Sequence, residues 1–315
     1  MSSLDTMTSP RLVRPLTVDG IGHLVVQVGD VAAARDFYLD LGFRDAGSDV
    51  LPQCSAHSAL RAASGQILAL VQVAAAPDLR DSGVHQAYRV SAAECGAISA
   101  RLAAKGVTVL TYKEDRPSEE ADNFYLFDPS GNRVQLVAPA GAKGAGILGI
   151  DHAAVQTADM LWAEKFYGEQ LGLAEDYRMG WQTADYVRAR KWAAGEEDMA
   201  PGSRRLDQRY TVMVNRKTVP RCNMQLYFRA GDAVLGVYLA NKHFQESPEE
   251  LAIAAPRIAF TAARAELDRM APLIAATGKT CEGPVLHPKD SPLEASFYFR
   301  DGSGNFIELC TPRKR

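Results

Sequence analysis

The chain has 315 residues, 47% hydrophobic and 23% charged, with a formal net charge of −3 and a mean hydropathy of −0.16. That length exceeds one small core and predicts two domains. The ordinary composition excludes the disordered, collagenous and disulfide-scaffold classes. With 35 basic against 38 acidic residues there is no basic excess for nucleic acid, and no apolar run reaches the ~18 residues of a membrane span.

Residues 1–16 lack the apolar stretch of a secretory leader and read as a flexible tail. Residues 20–28 alternate apolar and polar, which predicts a strand. Asp30 is placed to N-cap a helix whose apolar positions Ala34, Phe37, Tyr38 and Leu41 fall at helical spacing, and Gly42 ends it. Ile67 to Val71 predicts another strand. The pattern then restarts with a strand over 84–90, a helix over about 92–105 closed by Gly106, and strands at 107–112 and 123–127. Asp128-Pro129-Ser130-Gly131-Asn132 is a turn before a last strand at 133–137. Residues 141–146 are small and predict a flexible linker.

The chain then repeats itself. His23 and His152 open equivalent strands, 129 positions apart. Phe37-Tyr38 and Phe166-Tyr167 follow at the same offset, then Leu41-Gly42-Phe43 and Leu171-Gly172-Leu173 with one residue slipped. Phe124 to Leu136 pairs with Phe297 to Leu309, now 173 positions apart. Two homologous domains are therefore expected over 17–140 and 147–313. The second carries an insertion at about 180–228 whose Trp181, Tyr186 and Trp192 suit either a lid or a long hairpin. Each domain holds two strand-helix-strands units. Five cysteines, none at CxxC spacing, are expected as reduced thiols of a cytoplasmic protein.

The His in the opening strand, the Phe-Tyr helix ending in Leu-Gly, the His85-Gln86-Ala87-Tyr88 strand and the Asp-Pro-Ser-Gly-Asn ending together resemble the vicinal oxygen chelate superfamily, which includes glyoxalases, extradiol dioxygenases and the bleomycin and fosfomycin resistance proteins. The resemblance implies an α+β fold of four βαβββ modules in two tandem, cupped, incomplete barrels. It also implies ligands from the first and last strands of the modules. By that correspondence the opening His is His23 or His152. The second His is His85 in the first half and Arg257 in the second, and the carboxylate position holds Gln135 and Glu308. Neither half alone has the two His and one carboxylate of the ring-cleaving enzymes.

Pairing of contiguous modules matches the two-domain dioxygenases and is the expectation. It puts the metal at His152 and Glu308, with His243 or His287 as third ligand or proton carrier. An Arg257 aimed into that cup would oppose a divalent ion ~5 Å away by about 7 kcal/mol at an effective dielectric of about 20. It would suit a bound carboxylate or phosphate. In the other pairing, first with fourth and second with third, one cup collects His85, Gln135 and His152. The other then collects His23, Arg257 and Glu308. Tyr298 stands ten residues before Glu308, as in the extradiol signature, and Tyr125 is its counterpart in the first half. The resemblance thus implies an Fe(II)-dependent, extradiol-type dioxygenase acting on a small catechol-like diol, with Tyr298, His243 and His287 as catalytic candidates and Arg257 as a substrate-binding one. The alternatives are an isomerase, epimerase or lyase using Mn, Zn, Ni or Co, and a metal-free binding protein of the resistance type. A sheet edge of this fold can pair two chains into a homo-oligomer.

Overall fold

A computed structural model describes residues 16–47, 51, 58–76, 79, 84–112, 121–157, 160–179, 212–214, 217–219, 225–239 and 256–313. Its first module is β1 (Gly20–Val28), α1 (Val31–Asp40), β2 (Arg44–Asp45), β3 (Ser58–Arg61) and β4 (Ile67–Gln72). The second is β5 (His85–Arg89), α2 (Ala92–Ala104), β6 (Leu110–Tyr112), β7 (Ala121–Phe127) and β8 (Arg133–Pro139). The third runs β9 (Gly149–Thr157), α3 (Met160–Ala163, continued by the π-helical Glu164–Gln170) and β10 (Glu175–Met179), then β11 (Val212–Val214) and β12 (Lys217–Val219) within the insertion, then β13 (Gln225–Ala230) and β14 (Ala233–Leu239). The fourth is β15 (Arg257–Thr261), α4 (Arg264–Ala275), β16 (Cys281–Leu286), β17 (Leu293–Arg300) and β18 (Phe306–Pro312). Trp181, Tyr186, Trp192 and His243 lie outside the described residues.

The local signals hold. Asp30 caps α1 from an extended backbone, its carboxylate accepting from the N–H groups of Ala32 and Ala33. Ser91 does the same for α2 through the N–H of Glu94. The residue that slips between the two repeats has a physical home. The π-helical turns of Glu164–Gln170 absorb it between Tyr167 and Leu171, as π-bulges do when one residue is inserted into a helix.

The module pairing differs from the expectation. The described strands form an eight-stranded sheet, β16-β17-β18-β15-β1-β4-β3-β2, and a ten-stranded one, β10-β13-β14-β9-β5-β8-β7-β6-β11-β12. Module one therefore shares a sheet with module four through antiparallel β1 and β15, with Leu24 opposite Ile258. Module two joins module three through β5 and β9, with Gln86 opposite Ala153. Each open, cupped sheet draws one module from each half of the sequence.

The halves are joined internally by the motifs that marked them as repeats. The Tyr38 hydroxyl donates to the Asp128 carboxylate at 3.2 Å, and Tyr167 donates to Asp301 at 2.7 Å. The amide of Asn132 donates to the Gln27 carbonyl and that of Asn305 to the Gln156 carbonyl. Thus the Phe-Tyr helix of one module receives the Asp-x-Ser-Gly-Asn turn of the next, while the sheets cross between halves.

Residues 141–146 are not a loose tether. Gly42 and Gly146 meet backbone to backbone, so that a Cβ on Gly146 would lie 2.4 Å from the Gly42 carbonyl oxygen. Ile147 donates to that same oxygen, and Leu148 donates to the carbonyl of Arg89 at the end of β5. The short link is thereby pinned to module one and delivers β9 beside β5.

Strand alternation sorts the two faces of each sheet. In the eight-stranded sheet Leu24, Val26, Leu68, Leu70, Ile258, Phe260, Ile307 and Leu309 join the core shared with the helices. Val25, Ile67, Ala69, Val71, Ala259 and Cys310 form a separate cluster on the helix-free face. In the ten-stranded sheet Ala154, Tyr227 and Tyr238 do likewise. No helix among the described residues is long and apolar enough to cross a membrane.

Candidate metal centre

The helix-free face of the ten-stranded sheet gathers His85, Gln135 and His152. The first strand of a module contributes each His, and β8, hydrogen-bonded alongside β5, contributes Gln135 next to Ala87. His85 Nε2 and His152 Nε2 face each other at 2.9 Å. The Nδ1 of His152 lies 2.8 Å from the Asp151 carboxylate. With Nδ1–H donating to that carboxylate, Nε2 presents a lone pair. Burial pushes the Asp151 carboxyl up, but the hydrogen bond and charge of His152 and the Arg89 guanidinium outweigh it and hold the group below its usual range. Gln135 Oε1 is buried and accepts no hydrogen bond among the described residues. Two facing imidazole nitrogens, with an orphaned amide oxygen on the adjoining strand, are a donor set that fits a divalent cation.

Tyrosines wall this cup. The rings of Tyr125 and Tyr238 stand edge-on to His85 at 5.8 and 5.6 Å. The Tyr238 and Tyr227 hydroxyls hydrogen-bond at 2.7 Å, and Tyr177 stacks on Tyr227 at 4.1 Å. Arg133, 1% exposed, lies over the Tyr125 ring at 4.5 Å.

The cup of the eight-stranded sheet has different chemistry. Glu308, fully buried, has His23 Nε2 and Arg257 Nε both 3.0 Å from its Oε2. Ser296 donates to its Oε1 at 2.7 Å, and His287 Nε2 lies 2.8 Å from the Ser296 hydroxyl. Burial pushes the Glu308 carboxyl up, but His23, Arg257 and the Ser296 hydroxyl together hold it at about 2. Burial lowers the His287 imidazole, and the nearby charges of Arg313, His23 and Arg257 add to that against Glu308. Ligand-type atoms of His23, Glu308 and Cys310 do lie within 4.8 Å of one another. The Glu308 oxygen facing His23, however, already carries the Arg257 guanidinium. A fixed positive charge stands where a metal would need to be.

The expected pair His152 and Glu308 is therefore not brought together: His152 is on β9 and Glu308 on β18, in different sheets. The physical reason is the pairing of β1 with β15 and of β5 with β9. Tyr298 lies opposite Glu308 in register and over Arg257 at 5.2 Å, in the charged cup. His287, Arg257 and His23 belong there too. The set brought together in one cup is His85, Gln135 and His152. Sequence reasoning passed over Asp151, Ser296 and Arg133. Asp151 carried a signal, a carboxylate next to a candidate ligand. Ser296 and Arg133 could have been found by stepping two residues from Tyr298 and Gln135 along their strands.

The Glyoxalase/Bleomycin resistance protein/Dioxygenase superfamily profile matches residues 20–136. No curated protein matches the chain by sequence. Among solved structures, a Bacillus subtilis protein assigned to the dioxygenases superposes with a TM-score of 0.62 at 15% identity, over 95% of this chain and 87% of that one. Glyoxalase I from Zea mays superposes with a TM-score of 0.55 at 15% identity, over 93% and 92%. At such identity these two show the fold. The family match covers the first domain, and the internal repeat carries the same motifs through the second.

Proposed function

We propose that the protein is a divalent-metal enzyme whose centre is the cup of modules two and three, and that it acts on a small molecule through two adjacent oxygens. The observation that carries this reading is the facing pair His85 Nε2 and His152 Nε2, with Gln135, whose Oε1 is buried and accepts no hydrogen bond among the described residues, on the adjoining strand opposite Ala87. A bound divalent ion would act as a Lewis acid, lowering the pKa of substrate oxygens. The neutral His/His/Gln set leaves the ion's two charges for the substrate, which favours a diol able to lose both protons. The Tyr125 and Tyr238 rings suit a planar aromatic body, and the buried Arg133 guanidinium adds positive potential for an anionic form. The linked Tyr227 and Tyr238 hydroxyls can hold or pass a proton. A catechol-like diol and extradiol-type ring cleavage with Fe(II) is the resulting assignment.

Gln135 favours a second reading. The ring-cleaving enzymes pair two His with a carboxylate, and an amide there suits a non-redox isomerase or lyase with Zn, Ni, Co or Mn. The test is metal analysis of protein purified without chelator, then turnover of a catechol panel with and without O₂. One equivalent of metal and O₂-dependent turnover supports ring cleavage. Turnover that survives strict anaerobiosis supports the second reading. Less than about a tenth of an equivalent, with no gain on reconstitution, overturns both. Asp151→Asn, which removes the charge that orients His152, is expected to weaken metal binding about 10–100-fold in a chelator competition.

A further inference from the structure

The charged cup holds a cavity apart from the proposed metal site. A cavity of about 550 Å³ opens on the helix-free face of the eight-stranded sheet, with His23 and Cys310 in its lining. That volume is in the range of small-molecule sites. One wall comes from module one and the other from module four, so the cavity spans the seam between the two sequence halves. Leu51, Ile67 and Leu293 give it apolar surface, each at most 6% exposed. Among the described residues, Arg61 from β3 and Lys289 and Arg313 from the opposite wall also line it, against the carboxylate of Asp290. Deeper in the same cup Arg257 and Glu308 form their own ion pair, so the cationic excess is not cancelled from below.

Arg313 is held in place. Its guanidinium donates to the carbonyls of Ser291, His287, Pro288 and Leu293. Those bonds go to neutral oxygens and leave its charge uncompensated. Arg61 likewise donates to a neutral carbonyl, that of Gly65. Fixed positive charges around a partly apolar cavity attract anions and raise their local concentration. Their hydrogen-bonding geometry suits carboxylate and phosphate oxygens.

We propose that this cup is a second, metal-free binding site for a small organic anion, with an apolar body against Ile67, Leu51 and Leu293 and a carboxylate or phosphate between Arg61 and Lys289. The site is separate from the metal centre and does not depend on it.

Calorimetric titration of the full chain with 2-naphthoate, 2-naphthyl phosphate and the neutral 2-naphthamide tests this. One or both anions are expected to bind once per chain, and the amide at least tenfold more weakly; the two anions distinguish a carboxylate from a phosphate site. Arg61→Gln with Lys289→Gln is expected to weaken the anion roughly tenfold, two partly exposed charge contacts being lost. Raising the salt concentration should weaken the wild type more than that variant, in which Arg313 alone of the three cations remains. His152→Ala, which removes a proposed metal ligand, should leave anion binding as it was even if no metal is ever found. Equal binding of the amide, full affinity in the double variant, loss of binding in His152→Ala, or no binding of either anion up to 10 mM would overturn the proposal.

Discussion

Glu308 shows how one buried carboxylate can be spent on structure. Its Oε2 serves both His23 and Arg257 and its Oε1 takes the Ser296 hydroxyl. Removing one member of such a buried group leaves the others uncompensated, at a cost of about 3 kcal/mol or more. Glu308→Gln is thus expected to lower unfolding free energy by that amount while leaving metal content unchanged. Denaturant titration and metal analysis of one preparation check both. Loss of metal in this variant would place the centre at Glu308 after all. The pH dependence follows from the same carboxyl. In the folded protein the carboxyl is held at about 2, below the usual 4.5 of a glutamate. Its contribution is therefore complete above about pH 4.5 and is lost as pH falls towards 2, amounting to about 3 kcal/mol. In Glu308→Gln the acid limb of the stability profile should be shallower over that window.

At the scale of elements, the close glycine contacts explain why the repeat assembles across its halves. Gly146 (φ +67°) and Gly106 (φ +75°) have similar backbones, but a Cβ on Gly106 meets nothing within 4 Å. Gly106→Ala should therefore cost only the left-handed strain, about 1 kcal/mol. Gly146→Ala adds a backbone clash with Gly42 and should cost at least about 2 kcal/mol more. Midpoints of urea unfolding at constant slope compare the two. Equal costs would mean that the 140–148 link can shift away from module one without loss. The first two helices, the Asp30 cap and the turns were legible in the sequence because each is decided within a few residues. The role of the Phe-Tyr and Asp-x-Ser-Gly-Asn motifs was not, since Tyr38 meets Asp128 and Tyr167 meets Asp301 only after the chain has folded back.

For the whole molecule, neither cup can form from one half of the chain. In an isolated 17–140 fragment, β1 and β5 lose their antiparallel partners β15 and β9. Each is then an unpaired edge beside an apolar face, a template for a second copy. Because β15 and β9 are repeats of β5 and β1, two fragments can pair β1 of one with β5 of the other. The fragment is expected to be a dimer in sedimentation equilibrium. A stable monomer with strongly protected β1 and β5 amides would mean that contiguous modules can close a cup by themselves.

The sequence by itself marked the internal repeat, the four modules and the resemblance to the superfamily. These rest on periodicity, capping and repetition, which are local or are read by comparing the chain with itself. Only the tertiary structure decided which residues share a cup. His85 and Gln135 belong to neighbouring strands of one module, but whether His23 or His152 completes their set depends on which strand pairs with β5. The two candidates are repeats of each other, so their apolar patterns offer β5 nearly the same partner. The choice falls to contacts distant in sequence: the Gly42–Gly146 approach and the bond from Leu148 to Arg89, which set β9 beside β5. That choice joined His152 to His85 and Gln135, and left Glu308 to the cations of the other cup.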